Sequence, residues 1–251
     1  MLLPSNRFKK NDLEVWNEYE DVDFIHSESM TYKKRIAITE KAITRFINSG
    51  KPHFCGISWG KDSVVLADMF LKINPETNII FVHQVDNMNP HSLDVMKSFL
   101  DFHNPKNFFE YSYSYKDSDL TWFKNGKPNK WYRILEEINK KFGCHVTGIR
   151  PDESGKRAKR FKIFGMETIN SFAPFQFMTH QEIFSYLAIH DLPIHPNYAM
   201  TLNGTLDRKR IRVAAIGNKE GDGMGRTQWE KEYYPDILRK IESYGRARSA
   251  K

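Results

Sequence analysis

Short strand-like runs alternate with helical ones along most of this chain, and that alternation decides its fold class. HFCGIS (53–58) precedes DSVVLADMFLKI (62–73), and NIIFVHQVD (78–86) precedes HSLDVMKSFLDFH (91–103). FFEYSYSY (108–115) precedes KWYRILEEINKKFG (130–143), and CHVTGI (144–149) is followed later by THQEIFSYLAIHD (179–191). Strands joined through helices form βαβ units, and such crossovers make the strands parallel. The expected fold is α/β, a mostly parallel twisted sheet with helices on both faces.

Local signals agree with this frame. Ile36, Ile38, Ala42, Ile43 and Phe46 recur at helical spacing, and Gly50 closes that helix. Thr179 and Glu182 have capping-box spacing at the start of another. KIFGMETINSFAPF (162–175) reads as a strand or hairpin, and EYYPDILRKIESYG (232–245) as a last helix. Residues 1–32 are polar and aromatic with weak periodicity, which suggests an appended arm or short helix.

Composition narrows the setting. Apolar residues make up 40% and charged residues 27%, which is ordinary for a globular chain. No run has the apolar length of a membrane span, and MLLPSNRFKKND is too weakly apolar for a secretory leader. The two cysteines, Cys55 and Cys144, sit in strand-like surroundings and read as buried thiols. They cannot supply four ligands to a cluster or structural zinc. A reducing, cytoplasmic location without membrane contact is expected. The net charge of +7 suits a polyanion, either nucleotide phosphates or nucleic acid.

Parallel sheets bind ligands beyond the carboxyl ends of their strands. Ser58, Asp86 and Arg150 each lie at such an end. The sharpest motif there is Ser58-Trp59-Gly60-Lys61-Asp62-Ser63, between a strand and a helix. It is not a Walker A loop: Gly56 and Gly60 are one residue too close, and Asp62 follows the lysine where Ser or Thr is needed. The chain also lacks G-x-G-x-x-G. Backbone N–H groups of such a loop and the helix N-terminus cradle phosphate. The hydroxyls of Ser58 and Ser63 add donors, and Lys61 adds a point charge. Asp62 alone repels phosphate, so its natural task is to hold Mg²⁺ against it.

This S-x-G-K-D-S loop resembles the PP-loop of the adenine nucleotide α-hydrolase-like superfamily, usually S-G-G-x-D-S. Trp59 stands where that loop has a glycine. GIRPDESGKRAKR (148–160) looks like a segment of the phosphoadenosine phosphosulfate (PAPS) reductase and ATP sulfurylase small-subunit-like family. That resemblance implies that Arg150 and Arg157 contact phosphates or a transferred anion, with Asp152 and Glu153 orienting them or a metal. APFQFMTHQEIFSYLAIHDLPIHPNY is similar to another stretch of the family, through Pro193, His195, Pro196 and Tyr198. His195 faces the substrate anion or packs a loop. VHQVDNMNPHSLDVMKSFLDF resembles the segment after the second strand, with Asp86 on its Asp and with Asn87 and Asn89 departing from its Thr-Gly pair. The resemblance covers about residues 33–200, taken as the PP-loop nucleotide-binding domain.

The likeness also fails in the C-terminal part. The reductases carry a nucleophilic cysteine in a C-terminal E-C-G-x-H segment, and no cysteine follows Cys144 here. Thiol-based reduction is therefore not expected. Residues 201–251 instead form a basic extension with Arg208, Lys209, Arg210, Arg212 and Arg226, and with glycines at 217, 221, 223 and 225. They read as a lid, or as a contact for a nucleic acid or protein partner.

The leading expectation is an AMP-forming ATP pyrophosphatase that adenylylates a substrate, with ATP and Mg²⁺ as its cofactors. Lys61, Arg150 and Arg157 are its catalytic candidates. Nucleotide binding is assigned to Ser58, Trp59, Gly60, Lys61, Asp62, Ser63, Asp86, Asp152, Glu153 and His195, and metal binding to Asp62. The rivals are a nucleotide- or sulfonucleotide-binding regulator without turnover and a nucleic-acid modifying enzyme.

Overall fold

Five parallel strands form one sheet in this computed structural model, which describes residues 1–114, 123–124, 127–128, 130–213, 215–217 and 225–249. They are β1 (His53–Ile57), β2 (Asn78–Gln84), β3 (Phe108–Tyr113), β4 (Cys144–Val146) and β5 (Ser171–Phe172), in the order β3-β2-β1-β4-β5. The order reverses between β1 and β4. That gap is the topological switch point, where open α/β sheets take their ligands. The two motif-bearing loops, after β1 and after β4, are the ones that flank it.

Side-chain alternation along the strands separates two apolar layers. Cys55 and Ile57 of β1 and Ile79 and Phe81 of β2 enter a large core with α2 (Met30–Asn48), α3 (Lys61–Ile73), α4 (His91–His103) and α7 (His180–Ile189). Phe54 and Ile80 face the other way, onto Ile134, Ile138 and Phe142 of α5 (Lys130–Phe142). Helices thus cover both faces. No helix among the described residues is long and apolar enough to cross a membrane.

Two segments differ from the sequence expectation, and a third, the N-terminal region expected as an arm or short helix, is the 16-residue helix α1 (Asp12–Ser27). Trp16 is 2% exposed and meets Phe184 edge-on at 6.2 Å, while Leu2 bridges Ile194. Its apolar stripe is faint because Asp12 and Asp23 share its buried face. The stretch after Arg150 contains α6 (Gly155–Phe164), where Ser154 accepts from the Arg157 N–H and only Phe161 is buried. The expected last helix is two: α8 (Arg226–Tyr233) stops before Pro235, which opens α9 (Pro235–Ser249).

The capping box of α7 has become a buried ionic hub. Glu182 accepts from the Thr179 N–H at 2.7 Å and its hydroxyl at 2.5 Å, from Arg35 at 2.7 Å and from the His26 ring at 3.0 Å. Burial alone would raise its pKa, but the Thr179, His26 and Arg35 hydrogen bonds outweigh it and hold the pKa down to about 2, from 4.5. A lowered folded-state value stabilises above the unfolded pKa and fades as pH falls through the folded one. Glu182→Gln is therefore expected to cost at most about 3 kcal/mol at pH 7. The difference from wild type should shrink below pH 4.5 and vanish near pH 2. Urea unfolding across that range measures it, and a pH-independent difference would contradict it.

Candidate functional site

Residues 58–60 carry the chain from β1 into α3 and close on themselves through Ser63. Its hydroxyl oxygen accepts from the Ser58 N–H at 3.1 Å, donates to the Gly60 carbonyl at 3.0 Å and lies 3.3 Å from Ser58 Oγ. The Lys61 N–H donates to the Tyr198 hydroxyl at 3.1 Å. Gly148, in the loop after β4, presses against this turn: a Cβ there would lie 2.8 Å from the Asp62 carbonyl oxygen. The two loops of the switch point are thus in direct contact.

Charge converges where they meet. Arg150 is 2% exposed, ion-paired with Asp62, and donates from Nε to Asp152 at 2.9 Å. Lys61 Nζ reaches Asp62 Oδ2 at 2.7 Å and lies 5.4 Å from the Tyr198 ring centre. Arg157 pairs with Glu153 across one helical turn. Asp152 also accepts from the His180 N–H at 2.9 Å. Burial, followed by the nearby Arg150, pushes the Lys61 pKa well below its usual value. Burial lowers Arg150, and burial with Arg212 and Arg150 lowers Arg157. Burial opposes the ionised form of Asp152, yet His180 and Arg150 hold its pKa well below the usual carboxylate range.

These groups line a cavity of about 390 Å³. Six cationic side chains reach it: Lys61, Arg150, Arg157, Lys209, Arg210 and Arg212, against the carboxylates of Asp62, Asp152 and Glu153. The surplus of like charge in a half-buried space favours a polyanion. A second cavity, of about 330 Å³, lies on the α5 side of the sheet. Phe54, Ile80, Val82, Trp131, Leu135 and Ile149 make it largely apolar, and His145 and Thr147 add polar edges. Gly56 leaves its floor open, because a Cβ there would strike His145 Nε2 at 2.4 Å. Ser58, Asp62, Ser63, Glu153 and Arg157 border both cavities.

Nine of the sequence candidates therefore meet: Ser58, Gly60, Lys61, Asp62, Ser63, Arg150, Asp152, Glu153 and Arg157. Three line neither cavity. The Trp59 side chain turns into the core among Phe81, Phe99 and Phe108. Asp86 is exposed and accepts from Ser114 Oγ at 3.0 Å. His195 is buried, accepts from the Asn197 N–H at 3.2 Å and sits 5.9 Å from the His91 ring. Tyr198, His180, Trp131, His145 and Thr147 were not singled out as ligand-facing, and only Tyr198 had a motif signal.

The donor set does not offer a resident metal site. Both Asp62 oxygens face cations, Asp152 is held by Arg150 and His180, and Glu153 is paired with Arg157. Among the described residues, no group of three His, Cys, Asp or Glu side chains is placed to hold a metal ion.

Neither thiol approaches either cavity. Cys55 and Cys144 are buried, and burial raises both pKa values. The Cys55→Ala, Cys144→Ala double variant is expected to keep nucleotide binding and any turnover, at a stability cost of about 1 kcal/mol per site. Loss of turnover in the folded double variant, with calorimetric binding as the control, would contradict this.

No curated protein matches the chain at a significant level. Among solved structures, it is similar to the phosphoadenylyl-sulfate (PAPS) reductase from Candida auris in its phosphate complex. That match has 15% identity and a TM-score of 0.46, covering 71% of this chain and 88% of the other. It is also similar to the U34-tRNA thiolase NcsA from Methanococcus maripaludis with its [4Fe-4S] cluster. There the identity is 12% and the TM-score 0.45, covering 86% and 80%. The model of the phosphoadenosine phosphosulfate reductase domain matches residues 52–203, from β1 through both motif loops to Tyr198 and beyond. That span is well over half of the 251 residues, and the protein belongs to the phosphoadenosine phosphosulfate reductase domain family.

Proposed function

We propose that this protein is an AMP-forming ATP pyrophosphatase that adenylylates an acceptor. One observation carries the reading: an apolar cavity and a strongly cationic one share the Ser58–Ser63 loop as a common wall. The base and ribose occupy the apolar cavity, and the phosphates cross the loop into the cationic one. The acceptor attacks the α-phosphorus. Its bond to phosphorus forms as the bond to the bridging oxygen breaks, and pyrophosphate leaves with the electron pair.

The residues act by position and charge, since neither Cys55 nor Cys144 lines either cavity. Loop N–H groups and the α3 N-terminus fix the phosphates. Lys61 and Arg150, already desolvated, meet the charge that grows on the leaving group without reorganising. Because the carboxylates are already paired, charge neutralisation rests on these cations.

ATP labelled at its α-phosphate, offered with oxyanion and nucleic-acid acceptors, should yield pyrophosphate and a labelled acceptor. ATP should also stabilise the fold by mass action, by about 2.7 kcal/mol at a hundredfold excess over Kd, read as a rise in melting temperature. Chelation of divalent ions by EDTA should weaken ATP binding by less than about tenfold. The reading fails if millimolar ATP, ADP and 3′-phosphoadenylyl sulfate all leave the melting temperature unchanged.

A further inference from the structure

One wall of the cationic cavity comes from residues 209–213, beyond the end of the family match at residue 203. Directly before that wall lies a buried ion pair to the other end of the chain. Arg208 donates from Nη1 to Asp23 Oδ2 at 2.7 Å and from Nη2 to Asp23 Oδ1 at 2.5 Å. Asp23 is 1% exposed and Arg208 2%. The guanidinium carbon lies 3.9 Å from the Phe184 ring centre and 4.4 Å from that of Tyr19, so its orientation is fixed.

The pair reaches the site along two routes. Asp23 Oδ1 also accepts from Gln181 Nε2 at 2.7 Å. Gln181 follows His180, whose N–H holds Asp152, which in turn holds Arg150. Arg208 itself begins the tight turn that presents Lys209, Arg210 and Arg212. That turn is capped by Asp207, which accepts from the Lys209 N–H at 2.9 Å. Its far end is pinned by Arg226, donating to the Arg212 carbonyl at 2.7 Å. Arg210 and Arg212 are exposed cations, and Arg212 lies close enough to Arg157 to depress its proton affinity. Like charges do not gather over a cavity unaided, so something must hold this turn in place.

We propose that Asp23 and Arg208 are a positioning pair: α1 and the basic turn, both outside the family-matched region, together set the cationic wall of the phosphate cavity. This rests on the cavity being an oligophosphate site. A buried pair of this kind is a costly way to gain stability, because desolvation offsets most of the attraction. Its return here is geometry. The guanidinium fork fixes direction as well as distance.

Inorganic pyrophosphate is the probe, titrated by calorimetry into wild type, Asp23→Asn, Arg212→Ala and the double variant, with amide hydrogen exchange followed along each chain. Asp23→Asn should speed exchange at residues 208–213 by about tenfold or more and leave β1, β2 and β4 unchanged, and it should weaken pyrophosphate about tenfold. Arg212→Ala should cost about tenfold alone but under about twofold on the Asp23→Asn background, because the turn is already displaced. Arg208→Lys keeps the charge without the fork and should behave as Asp23→Asn does. Additive losses, or unaltered exchange at 208–213, overturn the proposal. If Asp23→Asn unfolds as a whole, Asp23→Leu with Arg208→Met preserves the packing and takes its place in the cycle, judged by the same two outcomes. Should wild type bind neither pyrophosphate nor ATP, the pyrophosphatase reading falls, while the exchange comparison still decides whether the pair holds the turn.

Discussion

Arg150→Ala is expected to lower pyrophosphate release by about 10²–10³-fold, equivalent to about 2.7–4 kcal/mol in the transition state. The arginine sits in the loop after β4, held by its Nε bond to Asp152, and its Nη1 pairs with Asp62 on the first turn of α3. The desolvation of this charge is met on folding rather than during the reaction. Charge that grows on the departing pyrophosphate meets a cation that has no water to shed. Truncation removes that contact and leaves Asp62 and Asp152 less neutralised, so ATP affinity falls as well, but by less. An interaction stronger in the transition state shows mainly in kcat, whereas uniform binding shows in KM. Arg150→Lys should recover only part of the rate, since a point charge cannot face Asp62 and Asp152 at once. Pyrophosphate release, ATP affinity and thermal stability measured side by side separate the readings. If folded Arg150→Ala turns over like wild type, Arg150 is not at the reacting centre. If wild type binds ATP tightly and releases no pyrophosphate with any acceptor, the regulator reading prevails.

The parts of the fold that were legible in the sequence are those where burial writes a period into the chain. The helix α3 is buried over most of its length, and β1 and β2 each carry buried apolar residues, so these runs mark the elements within a residue or two. The helix α6 was invisible because it buries only Phe161, and of its charged residues Arg157 lines the cavities rather than a core. The helix α1 was faint for the opposite reason: its inward positions include Asp12 and Asp23, whose partners Tyr233 and Arg208 lie some two hundred residues away. No local pattern announces such a pairing. The same applies at the site. Ser58, Lys61, Asp62 and Arg150 were readable because they follow closely on a strand at the switch point, and Arg157 because its segment resembles a family motif. The apolar cavity was not, since Phe54 of β1, Ile80 of β2, Trp131 of α5 and His145 of β4 come from separate elements that meet only in the folded sheet. His195 and Asp86 matched motifs, yet one is buried beside His91 and the other is exposed beside Ser114.

Trp59 sets two physical effects against each other, and their sizes predict which wins. Its φ is +61°, a left-handed conformation that suits glycine and strains a bulky residue. That strain costs about 1–2 kcal/mol. Against it, the indole is fully buried, with ring centres at 5.3 Å from Phe81, 5.8 Å from Phe99 and 6.1 Å from Phe108. Removing a buried indole costs about 3–5 kcal/mol, through lost burial and the cavity left behind. Trp59→Gly relieves the strain and forfeits the packing, for a net loss of about 1–4 kcal/mol. Trp59→Ala forfeits the packing and keeps most of the strain, so it should be the worse by about 1 kcal/mol. That order inverts the usual one, in which alanine is better tolerated than glycine. Urea unfolding of the three proteins tests both statements. A Trp59→Gly protein as stable as wild type would mean that strain dominates, and an alanine variant more stable than the glycine one would mean that φ is not limiting. The indole therefore does for this loop what a second glycine does elsewhere by freedom alone. It pins the turn from the core side, so that Ser58, Lys61 and Ser63 are held toward the cavity before any phosphate arrives. Folded Trp59→Gly should accordingly bind ATP more weakly than wild type, because the loop must then be ordered at the moment of binding.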